Sequence, residues 1–209
     1  MKPEVTRALE NMKKRGYIVH TFDTPEEMRD FVVWAIPDGE SAGFGGSLTV
    51  RNLGVFAALR ERGIAVYHHW APEGEPPRTP EEMAEQQKKA HAADNYIMSA
   101  NAIAENGMML NIDGNGNRIA ALANGPKVVY ILVGENKFVG TEEDALERCR
   151  KKACPENARR LNRMTPCAGA GYCSDCSSPG RICNNAMWTW HVPQGREYHI
   201  CVAPGELGL

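Results

Sequence analysis

The stretch Lys127-Val128-Val129-Tyr130-Ile131-Leu132-Val133-Gly134-Glu135-Asn136-Lys137 decides how the rest of the chain is read. Val128 to Val133 form an unbroken aliphatic and aromatic run, bounded by a lysine on one side and a polar turn on the other, which is the pattern of a short buried strand. Working outward, similar strand patterns occur at Tyr17 to Phe22, Ser41 to Gly45, Ile64 to Tyr67, Asn95 to Ser99, Met108 to Ile112 and Arg196 to Ala203. Helical patterns over residues 3 to 15, 24 to 36 and 79 to 92 alternate with them. Two of these helices open on the same signal, Thr24-Pro25-Glu26-Glu27 and Thr79-Pro80-Glu81-Glu82. Each combines a capping hydroxyl, a proline at the first helical position and acids at the positive end of the helix dipole. Such alternation predicts an α/β fold, a three-layer arrangement with a mostly parallel sheet flanked by helices.

At 209 residues the chain suits one large domain better than two, and it is read as a single unit, 1–209, with a cysteine-rich loop at 165–185. Its 43% hydrophobic and 24% charged residues exclude disorder, collagen and coiled coil. A net charge of −2 supplies no global field for nucleic acid or an anionic membrane, so neither is expected as a partner. The N-terminus has no apolar stretch of signal-peptide length, and the longest apolar run is far too short to span a bilayer, so a cytoplasmic protein is expected.

Polar turns at strand ends are the candidate binding elements. Gly43-Phe44-Gly45-Gly46-Ser47-Leu48-Thr49 follows a strand and leads into a helical pattern of Val50, Leu53, Phe56 and Ala57. Gly45 and Gly46 let main chain approach a ligand, while Ser47 and Thr49 offer hydroxyls and the turn offers amides for a phosphate or carboxylate. A plain strand-to-helix turn capped by Ser47 fits the same residues. There is no nucleotide motif, because Leu48 replaces the third glycine of the dinucleotide fingerprint and no Gly-Lys-Ser/Thr follows. Next come Asn101-Ala102-Ile103-Ala104-Glu105-Asn106-Gly107, with Asn101 and Glu105 at a strand end, and Asp113-Gly114-Asn115-Gly116-Asn117-Arg118. The latter reads either as a simple turn or as Asp113, Gly116, Asn117 and the fork of Arg118 turned toward an anion. Asn136 and Lys137 repeat that layout after the strand 127–133. Turns of this kind at the strand ends of one sheet would converge on one crevice.

Seven cysteines are too sparse for a disulfide scaffold, and an odd number cannot pair completely. Cys167, Cys173, Cys176 and Cys183 cluster within 17 residues, in a segment poor in apolar side chains. Four thiolates can enclose zinc or hold an iron–sulfur cluster, and the metal would supply the folding energy that the loop lacks. The spacing matches neither zinc-ribbon knuckles nor the bacterial ferredoxin run, and a Cys173/Cys176 dithiol or free thiols remain alternatives. Helical patterns at 141–152 and 155–164 precede the loop and carry Arg148, Arg150, Lys151, Lys152, Arg159, Arg160 and Arg163. This basic stretch reads as a solvated face, a support for an anionic thiolate centre, a binder of anions, or a docking surface. The six histidines show no ligand-pair spacing and are assigned no role.

Taken together, residues 93–107, Asp113 to Arg118 and Gly134 to Lys137 resemble the lactate utilisation (LUD) domain family. Gly45-Gly46-Ser47-Leu48-Thr49 with Leu53-Gly54 is similar to that family's first turn. Thr165-Pro166-Cys167, Cys173-Ser174-Asp175-Cys176 and Arg181-Ile182-Cys183 look like its cysteine-containing subgroup. The resemblance implies a fold like the sugar-phosphate isomerase and CoA-transferase superfamily. It also implies a link to lactate oxidation, in which such domains work with iron–sulfur-containing oxidoreductase subunits. Glu105-Asn106-Gly107 is similar to the glutamate motif of CoA transferases, which implies Glu105 as a catalytic nucleophile or base.

Overall fold

The computed structural model describes residues 1–71 and 74–209. In chain order the first half contains α1 (Pro3–Lys14), β1 (Ile18–Thr21), α2 (Pro25–Ala35), β2 (Ser41–Phe44), α3 (Leu48–Asn52), α4 (Val55–Glu61), β3 (Ala65–Tyr67), α5 (Pro80–His91) and β4 (Asn95–Met98). Then follow β5 (Ala102–Ala104), β6 (Met109–Asp113), α6 (Asn117–Asn124), β7 (Val128–Gly134), β8 (Phe138–Val139), α7 (Glu142–Arg148), α8 (Cys154–Arg160), α9 (Pro166–Ala170), β9 (Asn185–Thr189) and β10 (Glu197–Ala203). The predicted helix starts are real: Thr24 accepts from the Glu27 amide, and Thr79 with Glu82 forms a reciprocal capping box.

Six strands form one parallel sheet in the order β1-β10-β7-β4-β2-β3. The apolar run β7 lies inside it, and its side chains alternate between two cores as a pleated strand requires. Val129, Ile131 and Val133 join Tyr96, Met98, Tyr198, Ile200 and Val202 beneath α1 and α6. Tyr130 and Leu132 join Ile97 and Cys201 beneath α2, α3 and α4. Helices therefore cover both faces, as the alternation predicts. Gly43 is required where α5 crosses β2, because a Cβ there would lie 2.1 Å from the Ala90 carbonyl oxygen.

Two expectations are corrected. The strand expected at Met108 to Ile112 is present as β6 but belongs to a second sheet, ordered β8-β5-β6-β9. It follows β5 through a tight turn at Gly107 (φ +85°), which leaves no room for the crossover a parallel neighbour needs, so it pairs antiparallel. The two helices expected at 141–152 and 155–164 form one continuous helical run from Glu142 to Arg160. Pro155 has no amide to donate and would clash with the preceding turn, and a π-helical turn over Cys149–Ala153 absorbs it.

Among the described residues no helix is long and apolar enough to cross a membrane.

Candidate functional site

From β2 the chain moves outward to the edge strand β3, whereas from β4 it moves the other way to β7. Neighbouring parallel strands whose connections diverge leave a crevice beyond their carboxyl ends, the usual ligand position in open α/β sheets. Here Gly46, Ser47 and Thr49 after β2, Ser99 and Asn101 after β4, and Lys137 after β7 line a crevice of about 60 Å³. Arg118 from α6 and Arg160 from α8 complete it.

Several of the predicted polar groups are committed within the protein. Ser47 accepts from the Val50 amide as the cap of α3, which is a single turn. Thr49 donates to the Leu207 carbonyl at 3.0 Å. The Asn101 side chain accepts from the Ile112 amide at 3.0 Å. Asn136 pins the C-terminal segment through the Leu207 amide and the Gly208 carbonyl. Asp113, 4% exposed, accepts from the Arg118 and Ile119 amides and so caps α6, a helix not read from the sequence. Gly116 supplies the left-handed residue (φ +77°) at its start, and the Asn117 carbonyl lies 2.9 Å from His91 Nε2.

The cations are not neutralised to the same degree. Arg118 is held to Asp113 through Nε at 2.7 Å and to the Ile112 carbonyl through Nη2 at 2.6 Å, with Nη1 left without a partner among the described residues. Gly45 permits this: a Cβ would lie 2.5 Å from Arg118 Cγ. Lys137 is 2% exposed, and among the described residues no carboxylate pairs with it. Burial, then the charges of Arg148, Lys152 and Arg118, push its amine down to about 7. Arg148, lowered by burial, donates to the Asn136 and Asn101 carbonyls and keeps Nη2 buried without a partner among the described residues. Buried cations in excess of carboxylates make this crevice chemically suited to an anion.

Glu105 is not brought to the crevice. It sits in the β5–β6 turn against α1, where Arg7 grips both carboxylate oxygens at 2.7 and 2.9 Å and holds the carboxyl below its usual range.

The cysteine loop builds a second cavity. Cys167, Cys173, Cys176 and Cys183 line it together with Cys154, which the sequence spacing did not suggest. Arg181 ties the loop together, donating to the Cys176 and Cys183 carbonyls and pairing with Asp175 at 2.9 Å. The Asp175 amide lies 3.4 Å from Cys173 Sγ, and Thr165 Oγ1 lies 3.3 Å from Cys167 Sγ. Burial first, and then the neighbouring thiols, raise Cys154 and Cys183 above the ordinary thiol range. Among the described residues no three His, Cys, Asp or Glu side chains are gathered into an ion-holding group. The donor set is nevertheless that of a thiophilic metal, and the free volume of about 10 Å³ is that of one water-sized body.

Sequence reasoning missed His68, His69 and Trp70, which follow β3 and line a pocket of about 900 Å³ with Phe44, Phe56 and Arg51. Their signal was position, since they stand at a strand end of the same sheet.

A family model for the LUD domain matches residues 5–202. Among solved structures, the crystal structure of a DUF162 family protein from Deinococcus radiodurans is similar over 97% of this chain and 96% of that one, with TM-score 0.54 and 14% identity, a likeness of fold. Ribose 5 phosphate isomerase A from Neisseria gonorrhoeae aligns over 59% of this chain and 57% of that one, with TM-score 0.35 and 19% identity. No curated protein matches the sequence.

Proposed function

The chain belongs to the LUD domain family, and on that premise we propose that it serves lactate or organic-acid utilisation or a related redox step. In this reading the crevice at the strand ends binds a small carboxylate or phosphorylated metabolite, and the cysteine loop binds a metal. The observation that carries the first part is Lys137, a buried amine with no paired carboxylate among the described residues, at the switch point of the sheet. An anionic ligand would supply the missing counter-charge. Titration with lactate, pyruvate, sulfate and phosphate, followed by calorimetry, tests it. Binding that is weakened at least tenfold in Lys137→Met is expected, and no binding of any of the four would overturn it.

For the metal, Cys167, Cys173, Cys176 and Cys183 are the proposed ligands, with Cys154 beside them. Bound there, zinc would supply a structural cross-link, and an iron–sulfur cluster would supply one-electron transfer. The small free volume favours a single ion, whereas a cluster would require the loop to open. Metal analysis and visible absorption of anaerobically purified protein test this. Loss of metal in Cys176→Ser is expected, and wild-type protein free of both iron and zinc would sink the proposal.

A second reading is a docking surface for another subunit of an oxidoreductase complex. Leu161, Met164 and Tyr172 stand exposed around the cysteine loop, beside Arg159 and Arg163. Co-purification of a partner that survives Arg159→Glu combined with Arg163→Glu would argue against this site.

A further inference from the structure

The anion crevice has a neighbour. Ser47 lines both it and the pocket of about 900 Å³, with Gly45 on the pocket side and Gly46 on the crevice side. That volume lies within the range of cavities that enclose drug-sized ligands. Its floor is an edge-to-face cluster of Phe44, Phe56 and His68, with ring centroids 5.5 to 6.0 Å apart. Its wall is His69 and Trp70, the latter bearing Arg51 over its face at 5.4 Å. Arg78 donates to the Trp70 carbonyl at 3.2 Å and closes one side.

Two features make this more than an apolar hollow. His69 Nδ1 is buried and has no hydrogen-bond partner among the described residues, a cost that a ligand donor or acceptor would remove. At Gly46 a Cβ would stand only 3.4 to 3.6 Å from the ring atoms of His69 and Trp70. Main chain alone therefore separates the ring wall from the crevice. Burial holds His68 at about 3 and lowers His69 as well, so both imidazoles are neutral at physiological pH and offer ring faces in place of charge. Among the described residues that line the pocket, the cations Arg51, Arg60 and Arg78 outnumber the acid Glu75.

We propose that crevice and pocket form one bipartite site for a phosphorylated ligand that carries a planar heteroaromatic ring, the chemical class of the nucleotides. The phosphate lies against Arg118, Lys137 and Arg160. The ring stacks on His69 and Trp70 and satisfies His69 Nδ1. This rests on the anion reading of the crevice and extends it to the rest of the ligand.

Calorimetric titration with sulfate, adenosine monophosphate, guanosine monophosphate, flavin mononucleotide and adenosine separates the two readings. At least one of the mononucleotides should bind tenfold or more tighter than sulfate, a gain of the size base stacking gives. Trp70→Ala, with His69→Ala as the second variant, should erase that gain while leaving sulfate affinity within about twofold, as expected if rings and phosphate occupy separate halves. Lys137→Met should weaken sulfate and nucleotide alike. Sulfate binding with no tighter binding of any mononucleotide would overturn the bipartite site and leave the crevice reading standing. Tight nucleotide binding untouched by both ring variants would also overturn it. Failure of sulfate and of every nucleotide to bind would overturn the bipartite site, and the crevice reading falls with it only if lactate, pyruvate and phosphate fail as well.

Discussion

Replacing Lys137 with methionine tests whether its burial is a strain relieved by a ligand. The amine, ordinarily at 10.5, is held at about 7, so between those values the unfolded chain carries a proton that the folded chain lacks. Folding stability therefore rises with pH across that window and is lowest where the folded lysine must be charged. At 1.36 kcal/mol for each displaced pH unit, keeping the cation buried below pH 7 costs roughly 4 to 5 kcal/mol. Halved for relaxation and water access, about 2 kcal/mol remains, or ~4–8 °C in melting temperature for a chain of this length. Lys137→Met should melt higher than wild type by about that much near pH 6, with the advantage shrinking toward pH 10. Sulfate, whose charge is constant over the range, supplies the second readout. By recharging the lysine it takes up a proton, so wild-type affinity should be level below about pH 6 and fall by up to tenfold per pH unit above 7, while the variant binds weakly and without that slope. A variant destabilised equally at both ends of the range, or wild-type sulfate affinity that does not change between about pH 6 and pH 9, would refute the reasoning.

Other perturbations separate structural from functional roles. Asp113→Ala strips a buried acceptor from two α6 amides and leaves Arg118 uncompensated, so a loss of about 3 to 5 kcal/mol in denaturant unfolding is expected; under about 1 kcal/mol would contradict the capping role. Gly43→Ala forces α5 off β2 and should cost about 3 kcal/mol or more by the same assay, and an unchanged transition would mean that the helix–strand approach is looser than described. Glu105→Gln breaks an exposed pair with Arg7, so sulfate and nucleotide affinities should match wild type; hydroxylamine trapping after acyl-CoA treatment should leave Glu105 unaltered, and capture of an adduct there would assign it as a nucleophile.

The main sheet was legible because its signals are local. Val128 to Val133 can only be buried, and Thr-Pro-Glu-Glu announces a helix within four residues. The second sheet was not, because β5 spans three residues and β8 two, too short to show a period, and β6 is completed by β9 from far along the chain. Helix α6 escaped notice for a related reason. Its cap is the Asp113 carboxylate, reaching across a turn to Arg118 and Ile119, while the residue at the cap position is Gly116 with no side chain to read. For the site, the positions of Ser47, Thr49, Asn101, Arg118 and Lys137 at strand ends were readable, but their commitments were not. Whether a hydroxyl or amide is free depends on what the fold brings to it, and for Thr49 and Asn136 that is the C-terminal segment around Leu207 and Gly208.

The π-helical turn gives the helical run from Glu142 to Arg160 its two-sided character. In an α-helix a residue five positions on is rotated well away from the first, whereas the wider turn, closed by the Cys154 amide on the Cys149 carbonyl, brings such residues onto one face. Cys149 and Cys154 accordingly both pack against the outer face of the second sheet, and Cys154 reaches the cysteine cavity with Ala158. Ala153, Asn157 and Arg160 are then turned to the crevice, while Arg148, before the wide turn, donates to the carbonyls of Asn101 and Asn136. The Cys173 amide donates to the Arg150 carbonyl, fastening the cysteine loop to the same turn. Crevice and cysteine cavity thus share one wall whose phase depends on a single non-standard turn. If ordering of the thiols by a metal shifted the segment that carries Arg160, linkage would require an anion drawn in by Arg160 to act on metal binding to the same degree.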